Sequence, residues 1–360
     1  MNRTLSRENA LTHFPIHIIT GFLGSGKTTL LNQLLQQPGL EETVVIVNEF
    51  GEIGIDHLLI KAITEDIVLL EGGCLCCSVR TDLVNTLEDL FHKLALKQIP
   101  KFKQIIVETT GLADPAPILR TLINDTFIAK HFRLGLILTT VDAVYGVEQL
   151  NEYQESVKQA ALANLIILTK IDLVDAAKLA ALKQRLRALN PSASIDELNL
   201  NEHKFDSQSL FERDCYNPET QRLDVNRWLQ ADIYKNKSPA SLNHKHDTHI
   251  KSFCIEYEEP LHWLTLEHWI QQLTRLRGKD LLRVKGIAYT YETDLPVLIQ
   301  GVQHIFQPPV TLDAWPTDQR RSQIVFITRN IEKTVIERVL IALKKSKTPI
   351  EICQAALILL

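Results

Sequence analysis

The sequence lacks the features of secreted, membrane-spanning and disulfide-stapled proteins. No stretch is long and apolar enough to span a bilayer, and the polar N-terminal segment has no apolar core of the signal-peptide kind. Six cysteines in 360 residues are too few for a disulfide scaffold. A formal net charge of −4 gives no reason to expect nucleic acid or a membrane surface as a partner. We therefore expect a cytoplasmic protein whose thiols stay reduced.

The length and the ordinary globular composition, with 45% hydrophobic and 23% charged residues, indicate two domains. In the first half, apolar strand-like runs alternate with helical periods, which predicts an α/β domain with a mainly parallel sheet. The predicted boundaries are an α/β domain over 1–198, a polar linker with short helices over 199–249, and a smaller α+β domain over 250–360. The strands of the first domain are expected at 15–20, 43–48, 67–70, 104–108, 134–141, 164–169 and 193–196.

The C-terminal pattern begins near residue 250 and mixes strands with two helices. Strands are expected at 250–259 and 322–329, and a β-hairpin at 281–292 and 296–307. Helices are expected at 266–278 and 331–345. This order predicts a small α+β domain.

A phosphate-binding loop is predicted directly after the first strand. Gly21, Gly26, Lys27 and Thr28 match the spacing G-x-x-x-x-G-K-[ST], with a strand before them and a helical apolar period after them. Glycines allow backbone N–H groups to surround phosphates, and the helix N-terminus adds partial positive charge. A plain glycine turn is the alternative. The predicted binding residues of this loop are Gly24, Ser25, Gly26, Lys27, Thr28 and Thr29.

An acidic residue follows the strand QIIV and is the second part of the predicted site. Glu108 would organise Mg²⁺ and water together with Thr28, and the Gly111 N–H would meet the γ-phosphate. The alternative is an acid near a helix N-terminus. Lys27 and Glu108 are the predicted catalytic residues.

The segment TKID predicts guanine recognition. The Asp172 carboxylate can accept from guanine N1–H and its 2-amino group, whereas adenine offers neither donor. The usual motif starts with Asn, so Thr169 is expected to weaken one supporting hydrogen bond, and Lys170 completes the motif. GTP is therefore favoured over ATP, with an ATP-dependent small-molecule kinase as the alternative.

Three thiols are crowded into GGCLCCS, between a predicted strand and a helix that starts near Val79. In a reducing compartment such a cluster is typical of metal or redox chemistry, and thiolates favour zinc, with cobalt or nickel left open. The predicted ligands are Cys74, Cys76 and Cys77, with Glu49 of NEFGEIGID as a candidate fourth. The alternatives are a redox pair, inert buried thiols, and a Glu49 that only senses nucleotide.

Two weaker candidates come from the rest of the chain. His244, His246 and His249, near Asp247, are a candidate secondary metal site, and the alternative is a solvated polar loop. Arg80 is an arginine-finger candidate without further support.

The motifs GFLGSGKTTLLN, NEFGEIGID, GGCLCC, ETTGLADP and TKIDLV, in this order, closely resemble the CobW family of P-loop GTPases. The segments LLRVKGIAY, VQHIF and DQRRSQIVFITR extend the resemblance into the second half, so that it covers about 14–345. The resemblance implies a slow GTPase that uses GTP and Mg²⁺ and hands a divalent metal to a client metalloprotein. It leaves room for a GTP-dependent homodimer, and for a GTP-dependent regulatory switch whose metal is structural or stored.

Overall fold

The computed structural model describes residues 13–47, 67–69, 78–199, 210–211, 250–303, 305–306, 309–316 and 319–345. The predicted linker lies almost entirely outside these residues. Two of its members, Leu210 and Phe211, are helical and pack against the apolar core of the first sheet.

A seven-stranded sheet organises the first half of the chain, and every strand pair found in it is parallel. The strands are β1 (Phe14–Gly21), β2 (Thr43–Val47), β3 (Ile67–Leu69), β4 (Gln104–Glu108), β5 (Phe132–Asp142), β6 (Leu165–Thr169) and β7 (Ser194–Glu197). Their order across the sheet is β3-β2-β4-β1-β5-β6-β7. Strands β2 and β6 are buried throughout, as expected of parallel strands covered on both faces. The predicted α/β domain with a mainly parallel sheet is confirmed.

Helices connect these strands. They are α1 (Lys27–Leu35), α2 (Ser78–Ala95), α3 (Ala116–Asn124), α4 (Thr126–His131), α5 (Gly146–Glu152), α6 (Gln154–Leu162) and α7 (Ala176–Leu189). The apolar period of α1 buries Leu30, Leu31 and Leu34 in a core shared with β1 and β2. Asp125 caps α4, because its Oδ1 accepts from the backbone N–H groups of Phe127 and Ile128.

The position of β1 in the sheet determines where a ligand can bind. It lies between β4 and β5, so the chain builds one side of the sheet first and then the other. Open parallel sheets bind ligands beyond the carboxyl ends of their strands, where the strand order reverses. The loops after β1, β4, β5 and β6 therefore share one edge of the sheet.

A buried histidine interrupts the regular pairing of β1 with β5. The register shifts between Ile16 and Ile18, and the His17 Nδ1 accepts the backbone N–H of Leu136 at 2.9 Å. The pKa of His17 is lowered to about 3, chiefly by burial and also by the positive charge of Arg133, against a hydrogen bond with Gln104 that raises it. The imidazole is therefore neutral and replaces a missing ladder acceptor.

A second sheet, antiparallel and six-stranded, organises the C-terminal half. Its elements are β8 (Ile250–Tyr257), α8 (Trp263–Arg277), β9 (Leu281–Thr290), β10 (Thr293–Val302), β11 (Ile305–Phe306), β12 (Val310–Thr311), β13 (Ser322–Arg329) and α9 (Lys333–Lys345). The main order is β11-β10-β9-β13-β8, with β12 beside β10. Helix residues Trp269 and Ile336 share a core with Phe326 of the sheet. The predicted α+β fold is confirmed, and no helix in the described ranges has the length and apolarity of a membrane span.

The compact units of the molecule are not consecutive in sequence. The first takes in Met1–Val147, Ala163–Ala180 and Ser194–Gln221, as far as these residues are described. Glu148–Leu162 and Ala181–Ala193 group instead with the C-terminal residues. Two hydrogen bonds within the second unit tie these segments in: Arg283 Nη1 donates to the Leu162 carbonyl, and Ser252 Oγ donates to the Ala188 carbonyl.

Candidate nucleotide-binding site

The loop between β1 and α1 has a curled backbone. Gly24 has φ 71° and Gly26 has φ 86°, a left-handed conformation that residues with a Cβ rarely adopt. The Ser25 N–H donates to the Phe22 carbonyl at 3.1 Å, and the Gly26 carbonyl accepts the first bond of α1 from Leu30. The loop thus leads directly into a helix N-terminus, which is a suitable place for phosphate.

Side chains from two neighbouring strands hold this loop in place. The Ser25 hydroxyl lies 2.6 Å from the Thr140 hydroxyl of β5. The Thr169 hydroxyl at the end of β6 donates to the Ser25 carbonyl at 2.9 Å and is fully buried. Thr169 replaces the usual Asn, yet it supplies a hydrogen bond between the TKID segment and the predicted phosphate loop.

Replacing Thr169 by valine is expected to weaken GDP binding about fivefold to tenfold, because the isosteric side chain cannot donate to the buried Ser25 carbonyl. Titration calorimetry with GDP measures the effect. Thr121→Val is the matched control: Thr121 is also buried and donates to a backbone carbonyl, that of Pro117 in α3. Equal GDP affinity in wild type and Thr169→Val would contradict this role for the hydroxyl.

The first turn of α1 carries the candidate catalytic lysine and one candidate Mg²⁺ ligand. Lys27 is buried, and its Nζ donates to the Phe22 carbonyl at 3.2 Å. The Thr28 hydroxyl donates to Glu108 Oε1 at 2.7 Å, and Glu108 is only 4% exposed. A hydroxyl and a carboxylate oxygen this close together fit Mg²⁺, which prefers oxygen ligands. Thr29, the remaining predicted member of the loop, is exposed.

The segment after β4 lies against the phosphate loop. A Cβ at Gly111 would lie 2.6 Å from Leu23 Cδ2 and 2.8 Å from the Leu23 backbone nitrogen. The Thr109 N–H donates to the Ile19 carbonyl at 2.9 Å and continues the β1–β4 pairing. Because a Cβ at position 111 would collide with Leu23, only glycine allows the backbone after β4 to lie this close to the phosphate loop.

The TKID segment forms a tight turn after β6. Lys170 has φ 55°, and a short 3₁₀ turn (Ile171–Leu173) follows with Asp172 exposed. The Lys170 Nζ donates to Asp142 Oδ2 at 2.6 Å. We did not predict Asp142 from the sequence, although it closes the apolar strand LILTTVD as Glu108 closes QIIVE, and the same signal could have identified it.

The structure places the predicted nucleotide-binding residues at one edge of the first sheet, whereas the predicted transition-metal ligands lie outside the described residues. The predicted nucleotide-binding residues after β1, β4 and β6 follow the carboxyl ends of strands in one parallel sheet. The backbone of Arg80 belongs to α2. Within the described ranges, no group of three His, Cys, Asp or Glu side chains could hold a metal. The predicted ligands that lie outside these ranges are Glu49, Cys74, Cys76, Cys77, His244, His246 and His249.

Comparison with known proteins agrees with this geometry. Residues 15–197 match the model of the CobW/HypB/UreG nucleotide-binding domain, and residues 250–344 match the cobalamin synthesis protein CobW C-terminal domain. The zinc chaperone YjiA of Escherichia coli K12 is 28% identical over 330 residues, covering 92% of this chain and 98% of that protein. The zinc-regulated GTPase metalloprotein activator 1 of Schizosaccharomyces pombe is 28% identical over 333 residues, covering 84% of this chain and 78% of that protein.

A solved structure extends the likeness to the fold. The Zn(II)-bound YjiA GTPase from E. coli superposes with a TM-score of 0.67 at 26% identity, covering 92% of this chain and 98% of that one. The family expected from the sequence motifs is therefore confirmed. The chain belongs to the CobW/HypB/UreG family of P-loop nucleotide-binding proteins and carries the CobW C-terminal domain.

Proposed function

We propose that this GTPase is a metallochaperone, which binds a divalent transition metal and transfers it to a client metalloprotein in a cycle driven by GTP hydrolysis. The observation that carries the proposal is the thiol cluster GGCLCCS, because it follows β3 of the sheet that also bears the phosphate loop. The names of two relatives, a zinc chaperone and a zinc-regulated activator, support zinc as the cargo. Cobalt and nickel remain alternatives, since thiolate ligands alone do not select one metal.

In the nucleotide half of the cycle, water attacks the γ-phosphorus, the bond to the β–γ bridging oxygen breaks, and the proton leaves with the phosphate. Lys27 would exchange its bond to the Phe22 carbonyl for phosphate oxygens. Mg²⁺ held by Thr28 and Glu108 would neutralise charge on the β- and γ-phosphates. The Gly111 N–H would meet the γ-phosphate, and Asp172 would read guanine.

In the metal half of the cycle, Cys74, Cys76 and Cys77 would hold the cargo. If Glu49 completes the ligand set while its neighbours sense the nucleotide, hydrolysis would change the metal affinity. The alternative is a Glu49 that only senses the nucleotide. His244, His246 and His249 would form a weaker entry site. The exchange is proposed for the cytoplasm, where thiols are reduced.

Zinc affinity is expected to differ at least about fivefold between the GDP-bound protein and the protein bound to a non-hydrolysable GTP analogue, because transfer requires the two sites to be coupled. Competition with a chromophoric chelator measures it, with no nucleotide, with GDP and with the analogue. By linkage, zinc must change the ratio of the affinities for GDP and for the analogue by the same factor. Sedimentation of the same samples tests the GTP-dependent homodimer.

Two cysteine variants test the metal site itself. Cys76→Ser/Cys77→Ser should lose tight zinc binding. Cys254→Ser is the control, since Cys254 is buried and desolvation raises the pKa of its thiol to about 12. Equal zinc affinity in all three nucleotide states would instead favour a GTP-dependent regulatory switch with a structural or stored metal. Full zinc affinity in the double variant would remove the site assignment.

A further inference from the structure

Asp142 is a buried carboxylate at the nucleotide edge of the sheet, and both of its oxygens have partners. Its Oδ1 accepts the backbone N–H groups of Val144 at 2.7 Å and Tyr145 at 3.3 Å. Its Oδ2 accepts the Lys170 Nζ at 2.6 Å, and its side chain is 2% exposed. Burying a carboxylate is costly unless it is paired and hydrogen-bonded, so this arrangement depends on Lys170.

Lys170, the partner of Asp142, has an uncommon backbone conformation. Its backbone has φ 55° and ψ 34°, which a residue with a long side chain seldom adopts. Such a conformation persists where the surroundings fix it. Because the Lys170 side chain is 37% exposed, one part of it remains open at the edge of the sheet while its ammonium group is tied to Asp142.

Contacts of the two neighbouring residues Thr169 and Lys170 fix the start of the TKID turn. Thr169 pairs with Asp142 across β5 and β6, and its hydroxyl donates to the Ser25 carbonyl of the phosphate loop. Lys170 is tied to Asp142 itself. Asp172 follows two residues later and is exposed. Its position relative to the phosphate loop is thus set through Thr169 and Lys170.

We propose that Asp142 is a positioning residue for nucleobase selection: it holds Lys170 so that Asp172 is placed to read guanine. The inference rests on the proposed reading of guanine by the TKID turn. Asp142 acts on base recognition, whereas Lys27, Thr28 and Glu108 serve the phosphates. Its loss should therefore weaken guanine nucleotide binding and leave the chemical step of bound GTP unchanged.

Asp142→Asn isolates the contact to Lys170. The amide oxygen can still accept from Val144 and Tyr145, but the amide group carries no charge to pair with the ammonium. The matched control is Asp125→Asn, because Asp125 accepts from the N–H groups two and three residues on, as Asp142 does, and caps α4 without an ion pair to any lysine of the described residues. Calorimetry with GDP and ADP gives affinity and base selectivity, and GTP turnover gives kcat.

We expect Asp142→Asn to weaken GDP binding about tenfold or more and ADP binding less than about twofold, since a charged partner is lost only on the base-reading side. The kcat at saturating GTP should stay within about twofold, because the phosphate-binding groups are untouched. Asp125→Asn should match wild type. In a Lys170→Met background, Asp142→Asn should add less than about twofold, because the contact is already absent.

Three results would overturn the inference. Equal losses of GDP and ADP affinity would mean that Asp142 only supports the fold. Additive losses in the Asp142→Asn/Lys170→Met double variant would mean that it does not act through Lys170. If wild type showed no preference for GDP over ADP, the proposed recognition of guanine would itself be wrong. The wild-type measurement gives this result before any variant is compared.

Discussion

Replacing Lys27 by methionine is expected to slow GTP hydrolysis about 10²- to 10³-fold, because the variant loses the positive charge that we propose stabilises the transferring phosphate. The structure makes this a clean substitution. Lys27 is buried at the start of α1, where methionine preserves much of the side-chain volume. The Phe22 carbonyl loses the ammonium group but still accepts the Ser25 N–H, so the loop keeps its internal turn.

Single-turnover hydrolysis with saturating protein separates this effect from weaker binding. Lys93→Met is the control, because Lys93 is an exposed lysine whose contact is an i,i+4 ion pair with Asp89 on α2. Far-UV circular dichroism should be unchanged in both variants. A loss of less than about tenfold in Lys27→Met would contradict the assignment of this lysine to the transition state.

Acidification is expected to destabilise the parallel sheet through His17. The unfolded chain takes up a proton near pH 6.5, whereas the folded chain resists protonation down to about pH 3. The unfolded state therefore binds more protons across that window, and stability falls as the pH falls. The loss is about 1.4 kcal/mol per pH unit, or roughly 2 kcal/mol between about pH 6.5 and about pH 5.

The physical reason is a hydrogen bond that only the neutral ring can make. Protonated Nδ1 could no longer accept the Leu136 N–H, and the imidazolium would lie near Arg133. Space beside the ring is also limited, because a Cβ at Gly135 would lie 2.6 Å from His17 Nδ1. The ring has little room to turn away from the bond that it loses.

The measurement must report on β1 and β5. Tryptophan fluorescence would follow the wrong region, since all four tryptophans of the chain lie at residue 228 or later in the sequence, far from β1 and β5. Hydrogen-exchange mass spectrometry of the two strands during urea unfolding, at several pH values, gives the local free energy. His17→Asn keeps an acceptor for Leu136 but does not titrate, so its profile should be flatter. Parallel profiles for wild type and His17→Asn would exclude this origin.

Much of the fold and the phosphate site could be predicted because each signal is local. The strands 104–108 and 322–329 were located to the residue, since an apolar run ends there at a charged side chain. The phosphate loop could be predicted from sequence as well, because its glycines, lysine and threonine lie within one short segment between a strand and a helix. Strand β5 was predicted too short, since its end, Asp142, is polar but still paired with Thr169.

The features that the sequence did not reveal depend on distant partners. Nothing local distinguishes His17 from any strand residue, because its acceptor role depends on a register shift against Leu136. The supporting bond from Thr169 to Ser25 and the pair of Asp142 with Lys170 likewise each join the end of one strand to a loop that follows another strand. Such contacts are set by the tertiary fold and leave no periodic pattern.

The non-consecutive units also constrain how the chain can fold during synthesis. Helix α6 is synthesised well before β9, so the hydrogen bond from Arg283 to the Leu162 carbonyl can form only after β9 has been made. The hydrogen bond from Ser252 of β8 to the Ala188 carbonyl likewise forms only after β8 has been synthesised. The second unit therefore cannot be completed from its own end of the chain, nor be exchanged between relatives as one contiguous block. An insertion between β5 and β6 would affect both units, because Glu148–Leu162 of that stretch belong to the second unit and the residues on either side belong to the first.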